Sequence, residues 1–200
     1  MRWIWMAPLA LMLAAPAEAE MYGATEYKGT ETPGYRVERQ VGGSELRDYG
    51  PTVVAEVTVS GSRSGAANAG FRALAGFLFG GNRANEKIAM TTPVAQVPQD
   101  GTAGGPWVVR FTMPASFTRS ALPEPDDPRI RITEAPARRM LVTGFSGMPT
   151  ETALAEALDR LRADAAAAGL ATVGAPEFLF YDPPFRLPWN RRNEVALAVR

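Results

Sequence analysis

Neither histidine nor cysteine occurs anywhere in this chain of 200 residues, and these absences exclude more chemistry than any single residue supplies. Without cysteine there are no disulfides, no thiolate nucleophile and no Cys-type zinc site. Without histidine the usual neutral-pH general base, the commonest metal ligand and the usual proximal ligand of haem iron are all missing. A charge excess is lacking too: Lys+Arg and Asp+Glu both number 21, whereas a nucleic-acid binder gathers a basic excess on one face. Long apolar runs are also wanting. Trp3 to Ala15 falls short of the ~20 residues that span a bilayer, and Pro8 interrupts it.

That short run has another use. Arg2 supplies a positive n-region, Trp3 to Ala15 an apolar h-region, and Ala17-Glu18-Ala19 small residues at both recognition positions of a cleavage site. Residues 1–19 are therefore expected to be a signal peptide, with a mature start at Glu20 and a periplasmic or secreted location. No cysteine follows the h-region, so no lipid anchor is expected, and after cleavage the protein is not an integral membrane protein.

What remains suffices for one core. Residues 20–34 are polar and rich in Gly and Thr, and are expected to be a flexible lead. Tyr35 to Val41 alternates apolar and polar side chains, the period of a half-buried strand. Glu45 to Tyr49 and the β-branched Pro51 to Val59 continue as strands. Ser62 or Ser64 caps a helix whose apolar positions Ala67, Phe71, Leu74, Ala75 and Leu78 form a stripe; Gly80-Gly81-Asn82 ends it. Ile88 to Val97 and Trp107 to Met113 read as strands joined by a hairpin connection over 98–106. The stretch holding Pro114, Pro123, Pro125 and Pro128 is a surface connection. The order then repeats: strands at Ile130 to Thr133 and Arg138 to Ser146, a helix capped by Thr150 with Leu154, Leu158, Leu161 and Ala165 on one stripe, and strands at Glu177 to Tyr181 and Glu194 to Val199. A helix with one apolar stripe lays it on a sheet. Two such units predict an α+β domain, a curved or barrel-like antiparallel sheet with two helices packed outside.

Three stretches carry more than generic pattern. They are Tyr35-Arg36-Val37-Glu38 with Glu45-Leu46-Arg47-Asp48-Tyr49 and Val54-Ala55-Glu56-Val57; Gly70-Phe71-Arg72-Ala73-Leu74 through Phe79-Gly80-Gly81-Asn82 into Lys87-Ile88-Ala89-Met90-Thr91-Thr92-Pro93-Val94; and Tyr181-Asp182-Pro183-Pro184 through Pro188 into Arg191-Arg192-Asn193-Glu194-Val195. In this order and spacing, over 35–200, they resemble the SOUL/haem-binding-protein family. That resemblance implies a distorted antiparallel β-barrel of two pseudo-symmetric halves flanked by two α-helices, and haem or another porphyrin as the ligand. Each string also has an architectural use. Tyr181-Asp182-Pro183-Pro184 suits a rigid turn. Arg191-Arg192-Asn193-Glu194 suits a knot of guanidinium forks on carboxylates or loop carbonyls.

A tetrapyrrole would have to be held here without imidazole. Met90, Met113, Met140, Tyr35 and Tyr49 are chemically possible axial ligands, but no pattern selects one. Burying about 300 Å² of macrocycle at ~25 cal/mol/Å² yields roughly 7–8 kcal/mol, and association costs at least ~4 kcal/mol, so micromolar affinity is an upper expectation. The candidate contacts are Phe71, Phe77 and Phe79 for the ring, Arg72, Arg83 and Lys87 for its acidic groups, and Met90 beside them. The alternative is an envelope protein-interaction or structural module with no small ligand. Enzymatic activity is not expected, although Glu194 near Tyr181 would make a base and its orienting group.

Overall fold

The computed structural model describes residues 25–100 and 105–200. The expected signal peptide, its cleavage site and residues 101–104 of the expected hairpin connection lie outside them. The elements are β1 (Thr25–Tyr27), β2 (Thr30–Thr32), β3 (Tyr35–Val41), β4 (Ser44–Tyr49), β5 (Thr52–Val59), α1 (Arg63–Leu78), β6 (Val94–Pro98), β7 (Trp107–Thr112), β8 (Arg131–Ala135), β9 (Arg138–Phe145), α2 (Glu151–Ala167), β10 (Thr172–Phe180) and β11 (Asn193–Val199). Both helices start where polar side chains satisfy orphan amides. Ser62 Oγ accepts from the Gly65 N–H at 3.2 Å and Thr150 Oγ1 from the Ala153 N–H at 3.1 Å.

Nine strands form one antiparallel sheet in the order β3-β4-β9-β11-β10-β6-β7-β5-β8. The repeat expected from the sequence is visible in that order. β5-α1-β6-β7 and β9-α2-β10-β11 are equivalent units, joined where β6 pairs with β10. The strand that precedes each unit crosses to the other: β4 pairs with β9, and β8 with β5. Neither unit therefore completes its own sheet, which makes the halves one cooperative body. Among the described residues no pairing of β3 with β8 closes the ladder; what is established is a large antiparallel sheet with two helices.

Both helices cover one face. Trp107, Val109 and Phe111 of β7 point toward the helices while the residues between them face away, the period-two pattern of a strand. α1 lies on β5 and β7 around Ala55, Val57, Leu74, Phe77, Leu78, Val109 and Phe111. α2 lies on β9, β10 and β11 around Leu141, Leu154, Ala157, Leu161, Phe178 and Val195.

α1 is rotated relative to the expected stripe. Its buried positions are Ala66, Gly70, Leu74, Ala75, Phe77 and Leu78. The reason is Gly70: a Cβ there would come within 2.5 Å of Val109 Cγ2, so the missing side chain is what seats the helix on β7. An apolar count passes over glycine and so turns the helix by about one residue. Gly70→Ala is expected to destabilise the fold by ~1–3 kcal/mol through overpacking. Adding Val109→Ala should return part of that loss, so urea midpoints of the double variant should exceed the additive expectation.

Three other expectations change. β3 exists but is an almost fully exposed edge rather than a half-buried strand, with an irregularity between Val37 and Arg39. The segment from Ile88 becomes regular strand only at Val94. Within the expected flexible lead, β1 and β2 pair as a hairpin. It is tied down by bonds from Tyr27 Oη and Lys28 Nζ to Asp182 at 2.9 and 2.8 Å, and from the Thr92 N–H to the Glu31 carbonyl at 2.9 Å.

Candidate functional site

Of the residues singled out for ring binding, Phe77 is a correction. It is only 1% exposed, inside the cluster under α1, and cannot touch a ligand on the surface. Met90 is half-buried and packs against the same cluster. Arg83 is exposed but engaged, its guanidinium 2.9 Å from Glu124. Phe71 stands at the rim, 39% exposed with its ring edge against Phe111 at a centroid distance of 5.5 Å.

The remaining members share an outward surface. Arg72, Gly76 and Phe79 follow at i, i+4 and i+7, a spacing of one helix face over about 10 Å of rise. Arg72 and Gly76 are exposed, and Phe79 is 60% exposed. Gly76 leaves a flat place between them, since a Cβ there would meet nothing within 4 Å. Lys87 is brought alongside by a bridge to Phe79. Asn82 fixes that turn: its amide nitrogen donates to the carbonyls of Phe77 and Glu86 at 3.0 and 2.8 Å, and its oxygen accepts from the Glu86 N–H at 3.1 Å. Among the described residues Arg72 and Lys87 form no ion pair, so both cations are available to an anionic ligand.

The fit to a haem can be tested on these side chains. Its ring would find Phe79, the open floor at Gly76 and the rim of Phe71, and its carboxylates would find Arg72 and Lys87. The iron would find no histidine, because the chain has none; of the other possible ligands, Met113 and Met140 are buried, Met90 is half-buried against the core cluster under α1, and Tyr35 and Tyr49 pack on each other beside Arg47, which donates to the Tyr49 hydroxyl at 3.2 Å. The surface fits the organic ring and its acids, not the metal.

The opposite, helix-free face holds the knot expected around Glu194, with Arg47 as the member that sequence reading missed. Glu194, 2% exposed, sits in a closed set of bonds. Its Oε2 accepts from Tyr181 Oη at 2.7 Å and Arg47 Nη1 at 3.1 Å. Its Oε1 accepts from Arg47 Nη2 at 3.1 Å and from Arg192 Nη2 and Nε at 2.7 and 3.1 Å. Arg47 also stacks 4.3 Å from the Tyr35 ring, and Arg192 4.2 Å from the Tyr181 ring. Burial would raise the Glu194 carboxyl, but Arg47 and Arg192 outweigh it and hold the group below its ordinary range. Burial pushes the Tyr49 phenol up to about 12 and raises that of Tyr181 further. A sealed carboxylate with both oxygens bonded is a poor base, so the Tyr181–Glu194 pairing is architectural. The knot expected around Arg191 to Glu194 is present, with Arg191 bonding the carbonyls of Arg186 and Pro184.

Beside this knot a crevice opens between the two units. Its walls include Tyr49, Met140, Leu179 and Tyr181, with Arg110, Arg138 and Glu177 at one side. Its volume of about 40 Å³ admits a few water-sized groups and no macrocycle. Among the described residues there is no acidic cluster able to hold a metal ion, and no helix is long and apolar enough to cross a membrane.

A second missed surface is the β10–β11 connection, where Phe185, Leu187 and Trp189 are exposed. Met148 is exposed too, in a neighbouring turn joined to this connection by the Gly147 N–H to Pro188 carbonyl bond. Three large apolar residues between prolines and arginines were the available signal, since such a segment has no helix or strand in which to bury them.

Comparison with known proteins gives one family and a set of distant folds. A family model described as SOUL heme-binding protein matches residues 30–198. No curated protein matches. Among solved structures, the C-terminal domain of EcmrR is 12% identical with a TM-score of 0.63, covering 83% of this chain and 98% of its own. An uncharacterised conserved protein from Listeria innocua is 12% identical with a TM-score of 0.63, covering 78% and 92%. A Listeria innocua hydrolase is 11% identical with a TM-score of 0.56, covering 78% and 91%. At these identities the likeness is one of fold alone.

Proposed function

The chain belongs to the SOUL heme-binding protein family, and from that premise we propose that it binds a tetrapyrrole reversibly and non-covalently on the outer face of α1, without histidine ligation. The family is one of binding proteins, and this reading assigns no catalysis. The observation that carries it is the exposed, flat strip Arg72–Gly76–Phe79 with Lys87 beside it, which joins an aromatic face to two uncommitted cations. In this reading the protein works outside the cytoplasm, because residues 1–19 have the pattern of a secretory leader.

Titration with haemin and with metal-free protoporphyrin tests the proposal. Equal affinities are expected, since the iron gains nothing, with Kd in the micromolar range or weaker. Phe79→Ala and Lys87→Ala should each weaken binding about tenfold, or 1.4 kcal/mol, while Trp189→Ala leaves it unchanged. No saturable binding below about 100 μM would remove the idea. The exposed Phe185, Leu187 and Trp189 favour a second reading, an interaction module with no small ligand. It would be preferred if neither porphyrin bound and Trp189→Ala abolished cross-linking to a defined envelope partner.

A further inference from the structure

The β10–β11 connection carries its largest apolar side chains in the open. Phe185 is 85% exposed and Trp189 69%, while Leu187 and, in the adjoining turn, Met148 are more than half exposed. At such values these side chains touch almost nothing, not even one another. Apolar groups left in water add no burial to the fold, so the reason for them lies outside the chain.

The backbone beneath them is self-sufficient. The carbonyls of Pro183, Pro184, Arg186, Leu187, Pro188 and Asn190 all accept hydrogen bonds from within the chain. Arg191 supplies two of these, its Nε reaching the Arg186 carbonyl at 2.7 Å and its Nη2 the Pro184 carbonyl. The Gly147 N–H donates to the Pro188 carbonyl at 3.0 Å, and Lys28 Nζ to the Asn190 carbonyl at 2.6 Å. The three prolines have no N–H to satisfy. A surface loop that leaves its polar backbone to water is costly to move into lipid. This one has most of its carbonyls answered already.

Charge selects the kind of surface. Lys28 and Arg186 share one carboxylate, Asp182, at 2.8 and 3.0 Å. Among the described residues Arg191 bonds carbonyls and forms no ion pair. Three cations against one acid leave the connection positive. Glu151, the acid nearest Met148 in sequence, is paired with Arg63 at 2.9 Å. A second copy of the chain fits poorly here. The four apolar side chains offer roughly 500 Å², below the ~800 Å² per partner of a stable interface, and like charges would meet across the contact.

We propose that the β10–β11 connection, together with Met148, is a tip that docks on a bilayer surface rich in anionic headgroups. Phe185, Leu187 and Trp189 enter the boundary between headgroups and acyl chains, where indole rings are favoured. Lys28, Arg186 and Arg191 stay at the level of the phosphates. Lipid closes around side chains that protrude singly, whereas a protein partner would need a complementary pocket for each. The protein rests on the bilayer; among the described residues no helix is long and apolar enough to cross one.

Vesicles of phosphatidylcholine with about 30% phosphatidylglycerol are the probe, mixed with the chain from Glu20 onward and separated by flotation. That chain has two tryptophans, the buried Trp107 and the exposed Trp189, so a blue shift of emission reports entry of Trp189 into the interface. Half-binding is expected at about 0.1–1 mM lipid, the range of a single acyl anchor. Pure phosphatidylcholine should bind about tenfold more weakly or worse, and Arg186→Gln about fivefold more weakly. The double variant Phe185→Ala/Trp189→Ala should lose flotation by about tenfold or more with unchanged thermal unfolding, since both positions are exposed. Its haemin titration should match the wild type, so this tip and the α1 strip stand or fall separately. Flotation of the folded double variant at the wild-type level would overturn the proposal. So would equal binding to neutral vesicles, no binding by about 5 mM lipid, or capture of a protein through Trp189 by a chain that ignores both kinds of vesicle.

Discussion

Glu194→Leu is expected to lower stability by about 3–5 kcal/mol, the usual cost of stripping one partner from a buried ion pair. The side chain of Arg47 is 6% exposed, so the substitution leaves a guanidinium with Glu45, at 2.7 Å, as its one remaining carboxylate beside the Tyr49 hydroxyl at 3.2 Å, and a Tyr181 hydroxyl that has lost its acceptor. The double variant Arg47→Met/Glu194→Leu should regain much of the loss, because an apolar pair of similar volume escapes the desolvation penalty. Urea unfolding of the two singles and the double measures this as a coupling energy. A single variant as stable as the wild type would show that the knot contributes nothing to the fold.

Glu194 also contributes to the acid limit of the protein. Glu194 is held below its ordinary value of 4.5 by Arg47 and Arg192 against burial. Asp48 is lowered by Arg139 and Arg36, and Asp182, against burial, by Lys28, the Arg192 N–H and Tyr27. A carboxylate depressed in the folded state stabilises fully above its unfolded pKa and loses that contribution as pH falls through the folded one. Stability should therefore be flat above about pH 5 and decline below it, and the decline should be shallower in Glu194→Leu, which lacks one of the depressed carboxylates.

Phe77→Ala should cost about 3–5 kcal/mol, the range for emptying a buried phenylalanine site. Phe79→Ala should stay within about 0.5 kcal/mol of wild type, as exposed substitutions do. The two residues are two positions apart and should give opposite results: one loses the fold and the other loses the porphyrin. Thermal unfolding beside haemin titration separates them. A fully stable Phe77→Ala protein would contradict the packing of α1 on β7.

Much of the architecture was legible because it rests on near neighbours in the chain. Ser62 (one of two serines offered, with Ser64) and Thr150 announced the two helix starts, and three of the four positions in the expected stripe of α2, Leu154, Leu161 and Ala165, are buried. Strand order along the chain, the doubled unit and the family resemblance followed from equally local strings. α1 was misjudged because its deciding contact is an absent side chain, Gly70 against Val109, which no hydrophobic count registers. That one-residue turn is also why Phe77 was assigned to the surface.

The chain alone settled the order of its elements, the caps that begin its helices and the impossibility of imidazole chemistry, because each depends on residue identity or on neighbours within a few positions. Tertiary structure decided which strands exchange between the halves, which phenylalanine is sealed, and that Arg47 meets Glu194 across 147 residues. Such meetings depend on register between distant strands, where a shift of one residue sends every side chain to the opposite face. Local pattern carries no record of that register.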